Sequence, residues 1–128
     1  MSDPINDVFN FHKKFELVPS KKGLLKQDVA WFRYRFCIEE INEWRTSHDE
    51  QSLVGCLDAM IDEVYVALGT LVMHGFSEAE VKEAWKRVHE ANMLKERALK
   101  ESQSKRGSRL DVIKTEGWVK PDLEDLCR

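Results

Sequence analysis

Three cysteines, Cys37, Cys56 and Cys127, are all that this 128-residue chain contains, and no two form a Cys-x-x-Cys pair. An odd, scattered set signals neither a disulfide framework nor a zinc knuckle, so reduced thiols are expected. No glycine-rich phosphate loop of the Walker type occurs. No histidine completes Glu-x-x-His: His12, His48, His74 and His89 follow Phe9, Arg45, Leu71 and Lys86 at three residues. Carboxylate-bridged di-iron chemistry is thereby disfavoured. The net charge is −3, with both signs intermixed, and lacks the basic excess of a nucleic-acid binder. The opening MSDPINDVFNF has no basic n-region ahead of an apolar core and does not read as a signal peptide. Strand-like alternation of useful length is missing as well.

What is present is helical period. Leu53, Leu57, Met60, Val64, Leu68 and Leu71 step by three and four through LVGCLDAMIDEVYVALGTLVMHGF (53–76), which predicts a core-facing helix. Asp58, Asp62 and Glu63 inside that run argue against a membrane span. Asp3 before Pro4 reads as an N-cap with proline at the first helical position. Ile5, Val8, Phe9, His12 and Phe15 then mark a short helix ending near Glu16, followed by a loop at PSKKG (19–23). A second helix is predicted over 26–45, with Val29, Phe32, Phe36 and Ile41 toward the core and Trp31, Tyr34, Ile38 and Trp44 around its sides. That much aromatic surface predicts cover nearly all round. SHDEQS (47–52) should start the third helix and Gly75 stop it. Ser77 and Glu80 form a capping box for a fourth helix running to about Leu99. KESQSKRGSR (100–109) reads as a loop, and the tail carries Trp118, Pro121 and a short helix at 122–126, with Trp118 and Pro121 anchoring it. The fold class is all-α, a four-to-five-helix bundle in one domain spanning 1–128.

Chemistry concentrates in two acidic clusters. Asp58 and Asp62 lie one turn apart within apolar sequence, where a carboxylate needs a partner. Glu39, Glu40 and Glu43 crowd adjoining faces of the second helix, and like charges at those spacings destabilise a lone helix. If the two helices pack antiparallel, the clusters meet, and oxygen donors without His or Cys suit a hard cation such as Mg2+ or Mn2+. The competing reading is a solvated face, with Arg33, Arg35 and Arg45 pairing with the glutamates.

Two further motifs, V-H-E-A-N-M-L-K (88–95) and I-K-T-E-G-W-V-K-P-D (113–122), join E-E-x-x-E and D-E-V-Y-V-A-L-G (62–69). Together, in this order, they resemble the all-α nucleoside triphosphate pyrophosphohydrolases: MazG, the dimeric dUTPases and phosphoribosyl-ATP pyrophosphohydrolase. The similarity is greatest to small MazG-like proteins of bacteria and phages, and runs from about His12 to about Asp122. It implies a bundle whose core is completed by oligomerisation, as a homodimer or homotetramer. It also implies Mg2+-dependent cleavage, with Mn2+ able to substitute, of a (d)NTP to the monophosphate and diphosphate. By the resemblance, Glu40, Glu43 and Asp62 are metal ligands, joined here by Asp58. Glu39 and Glu40 are the catalytic acids, Glu39 either binding metal or positioning the attacking water. Asn92 and Lys95 contact sugar and phosphates, and Lys114 reaches phosphate from a tail (100–128) folding over the site, with Lys105 or Arg106 assisting. His12 is a candidate wall of the nucleotide pocket. The family's usual third-helix motif is Glu-x-x-Asp, but Ala59 stands three before Asp62 and Asp58 four before, which leaves the number of metals open. The expected location is cytoplasmic (host cytoplasm if phage-encoded), with neither nucleic acid nor membrane as partner. Phosphoribosyl-ATP or alarmone hydrolysis, or a non-catalytic helical interaction module, are the alternatives.

Overall fold

A computed structural model describes residues 3–128. Helix α1 (Pro4–Lys14) opens as its sequence predicts, the Asp3 carboxylate accepting from the amides of Ile5 and Asn6 at 3.1 and 3.3 Å. It stops at Lys14, because Glu16 turns left-handed at φ 57°. Helix α2 (Gln27–Asp49) runs four residues past its predicted end. Helix α3 (Leu53–Met73) begins where the Ser52 hydroxyl accepts from the amide of Gly55 at 3.1 Å. It ends at Gly75, whose φ of 87° and amide bond to the Val72 carbonyl at 2.9 Å make a left-handed stop. An alanine there would place its Cβ 2.5 Å from the Lys21 carbonyl oxygen. Helix α4 (Glu78–Asn92) starts on the reciprocal Ser77–Glu80 box, with bonds of 2.9 and 3.1 Å.

α4 ends at Asn92 and not near Leu99. The chain instead forms strand β1 (Glu96–Arg97), paired antiparallel with strand β2 (Val112–Ile113). The Ala98 amide bonds the Asp111 carbonyl at 2.9 Å next to this ladder. The predicted loop at 100–109 carries a 3-10 turn at Glu101–Gln103, and the final helix is a 3-10 turn at Glu124–Cys127. The chain divides into two compact units, one reaching Val81 and the other running from Lys82 to Leu126.

In the first unit, Val8, Phe9, Val72 and Val81 form the core, with Ile5, Leu68 and Phe76 packed against it. α1 and α2 both pack on α3. Several predicted core positions are corrected. Of the α3 stripe, Leu53, Leu57 and Val64 are well exposed, while the buried side consists of Ala59, Val66, Gly69 and Val72. Small side chains let helix backbones approach, so the small-residue face turns inward and the leucine face stays outside. Phe15, Phe32 and Ile41 are likewise exposed, and α2 is not covered all round: Trp31 and Tyr34 stack on each other at the surface. The side chains that α2 buries are Arg33 and Glu40. No helix among the described residues is long and apolar enough to cross a membrane.

Candidate active site: an acidic seam between two helices

α2 and α3 run antiparallel, so low numbers on one meet high numbers on the other. The Arg33 guanidinium donates to the Val66 carbonyl at 2.7 Å and the Thr70 hydroxyl at 3.1 Å. One turn along, Cys37 hydrogen-bonds Glu63. Next come Glu40 and Asp62, then Ser47 opposite Gly55, where a Cβ would come within 2.5 Å of the serine hydroxyl. Gly69 permits the other close approach. A Cβ there would stand 2.8 Å from both Arg33 Nη2 and His12 Cε1.

Glu40 is the centre of the seam. It is 7% exposed, and its Oε2 has no hydrogen-bond partner within the protein. Its pKa rises from the ordinary 4.5 to about 7, first through burial, then through the charges of Glu43 and Asp62, a hydrogen bond with Glu43, and the charge of Glu39. Glu39 and Glu43 are exposed and line a cleft of about 600 Å³ with Asp58, Asn42, Arg35 and Ala59. Thus Glu39, Glu40, Glu43 and Asp62 interact directly, and Asp58 joins through the cleft wall that it shares with Glu39 and Glu43. Asp58 is exposed and Asp62 half-buried. Among the described residues no three His, Cys, Asp or Glu side chains stand close enough together to hold a metal ion. The donor chemistry nevertheless fits one: oxygens only, like-charged, with one buried oxygen unsatisfied.

The sequence assigned Arg33 to surface pairing with the glutamates; it is buried instead and spends its donors on α3. Arg45 pairs with Asp49 at 3.3 Å, within its own helix. His12 is also buried, its Nδ1 bonded to the Val8 carbonyl at 2.8 Å, and does not line the acidic cleft. Tyr65 packs edge-on against Phe11. Glu63 was missed as a seam residue. It follows Asp62 directly, and its Oε2 is buried without a partner. Burial and the adjacent Glu63 carboxylate both push the Cys37 thiol up. The mid-helix glycine at 69 was the legible hint that α3 is approached closely here.

In the second unit, Asn92 is the exposed last residue of α4. Lys95 and Lys114 both place their Nζ over the Trp118 ring, 5.2 and 5.1 Å from its centroid. They line a cleft of about 400 Å³ with Lys105, Arg106 and Asp111.

An all-helical frame carrying paired carboxylates across an antiparallel seam is the architecture of the all-α pyrophosphohydrolases, hydrolases of phosphoanhydride bonds. The chain belongs to the phosphoribosyl-ATP pyrophosphohydrolase family, whose model matches residues 7–92, within the MazG-like superfamily. Members of the family are generally divalent-metal dependent. The match ends at Asn92, short of the tail motif that the sequence comparison included. No curated protein matches the chain.

Proposed function

We propose that the chain is a Mg2+-dependent nucleoside triphosphate pyrophosphohydrolase, converting a (d)NTP and water to the monophosphate and diphosphate. The observation that carries this reading is Glu40: a buried carboxylate with an unsatisfied oxygen, pressed by three other acids. A cluster of that kind is costly unless a cation neutralises it. Glu40, Glu43, Asp62 and Asp58 would hold the cation, with Mn2+ able to replace Mg2+. When bound, it supplies charge neutralisation and Lewis-acid polarisation of a phosphoryl oxygen. Glu39 stands exposed on the cleft wall and is the carboxylate able to orient the attacking water and take its proton. The buried side of the seam, from Arg33 to Gly69, holds α2 and α3 in register so that the acids stay opposed.

Phosphoribosyl-ATP is the second reading, favoured by the family whose model the chain matches. Incubation with (d)NTPs and phosphoribosyl-ATP at several millimolar Mg2+, assayed for pyrophosphate, separates the two. Release from none of them would leave a non-catalytic helical module.

The working form is a homo-oligomer. Leu53, Leu57, Ile61 and Val64 follow one another along α3 at four, four and three residues, and all are more than half exposed. A stripe of that length on a helix is the size and shape of an interface with a second helical copy. Sedimentation velocity tests it, and a monomer at tens of micromolar would refute it.

A further inference from the structure

The second unit contains a cation cleft that the acidic seam does not explain. Register places Lys95 and Lys114 together: β1 and β2 pair Glu96 with Ile113 and Arg97 with Val112, so one step outward sets Lys95 opposite Lys114. Like charges facing each other across a ladder are destabilising. Both ammonium groups nonetheless stand over one ring, that of Trp118. The indole N–H donates to the Ala91 carbonyl at 2.7 Å, which fixes the ring against the end of α4. Lys105 and Arg106 line the same cleft, and its single carboxylate, Asp111, is already engaged. It accepts from Arg106 Nη2 and the Ser104 hydroxyl, each at 2.7 Å, and from the Val112 amide at 2.9 Å. Four cations against one neutralised acid leave a strong local positive charge. An anion lying between the two lysines would relieve their repulsion.

We propose that this cleft is a diphosphate-binding subsite and that Trp118 is its positioning residue, holding Lys95 and Lys114 as a pair through its ring. A diphosphate has two linked anionic groups and can engage both ammonium ions, with the Arg106 guanidinium and Lys105 at the rim. This deepens the nucleotide reading and rests on it for its substrate. The anchoring role expected of Trp118 holds through its N–H, and the ring face adds a second task. The group bound is either the polyphosphate of a nucleotide or free pyrophosphate, the chemistry being the same.

The experiment is calorimetric titration of the full chain with inorganic pyrophosphate in EDTA at low salt, where an acidic seam without cations repels the ligand. One site per chain is expected, bound more tightly than sulfate. Lys95→Gln and Lys114→Gln are each expected to weaken it about tenfold. Trp118→Leu should weaken it by about tenfold although both lysines remain, and Trp118→Phe, which keeps a ring and loses the N–H, should stay within about threefold of wild type. Circular dichroism checks each variant for folding; Lys114 is exposed, so its variant keeps the test valid even if Trp118→Leu unfolds. Affinity in Trp118→Leu or in the double lysine variant equal to wild type would overturn the proposal, as would equal binding of sulfate and pyrophosphate. In turnover assays the ring should act on KM more than on kcat, with Phe rescuing it. Displacement of pyrophosphate by a non-hydrolysable nucleotide assigns the subsite to the substrate, and its absence to free pyrophosphate. Nucleotide turnover without pyrophosphate binding in EDTA sinks this inference and spares the nucleotide reading. Pyrophosphate binding without turnover does the reverse.

Discussion

Replacing Glu40 by glutamine should change stability in a pH-dependent way that isolates the charge of this one group. The folded carboxyl holds its proton more tightly than the unfolded one, with a pKa of about 7 against 4.5. The folded state is therefore favoured at low pH, loses stability as pH rises from 4.5 toward 7, and stays penalised above. Integrated linkage makes this penalty about 1 kcal/mol at pH 5 and at most about 3 kcal/mol at pH 8. Glutamine does not titrate, so any loss from the altered side chain itself is common to both conditions and cancels. The difference between variant and wild type should thus move by about 2.5 kcal/mol in favour of the variant between pH 5 and pH 8. Urea unfolding in EDTA, at one fixed protein concentration, measures it as a shift in midpoint. Adding Mg2+ at pH 8 should raise the wild-type midpoint and leave the variant nearly unmoved. Parallel curves for the two proteins from pH 5 to 8 would refute the crowded-carboxylate account.

Glu43→Gln and Asp62→Asn should abolish pyrophosphate release while far-UV circular dichroism stays unchanged; near-normal turnover in either removes that acid from the site. EDTA should extinguish turnover, and Mg2+ or Mn2+ should restore it in the same sample. Gly69→Ala should cost about 1–3 kcal/mol, because the new methyl meets Arg33 and His12 in a packed seam and both are held by hydrogen bonds; an unchanged melting temperature would refute it. Leu57→Glu should reduce the oligomer to a smaller species by sedimentation, and an unaltered profile would place the interface elsewhere.

The start and stop signals were legible because they are local. Asp3 with Pro4, Ser77 with Glu80, and Gly75 each act within four residues of themselves, and each does what its chemistry predicts. The acidic residues were legible for a related reason: Glu40, Glu43 and Asp62 at helical spacing require compensation wherever the helices go. Which face of α3 turns inward was not legible. Periodicity locates an apolar stripe but cannot say whether the same chain covers it, and here the leucine stripe loses to the small-residue side carrying Ala59, Val66 and Gly69.

The amino-acid sequence alone thus determined an all-helical chain, the positions of its caps, and a set of oxygen ligands suited to a hard cation. Only the tertiary structure decided that Arg33 and Glu40 are the side chains α2 buries, that Glu63 joins Cys37, and that Lys95 faces Lys114 over Trp118. Caps and periods depend on neighbours in the chain, whereas burial and charge coupling depend on which distant groups replace water. That exchange is fixed only once the helices and the short ladder have packed.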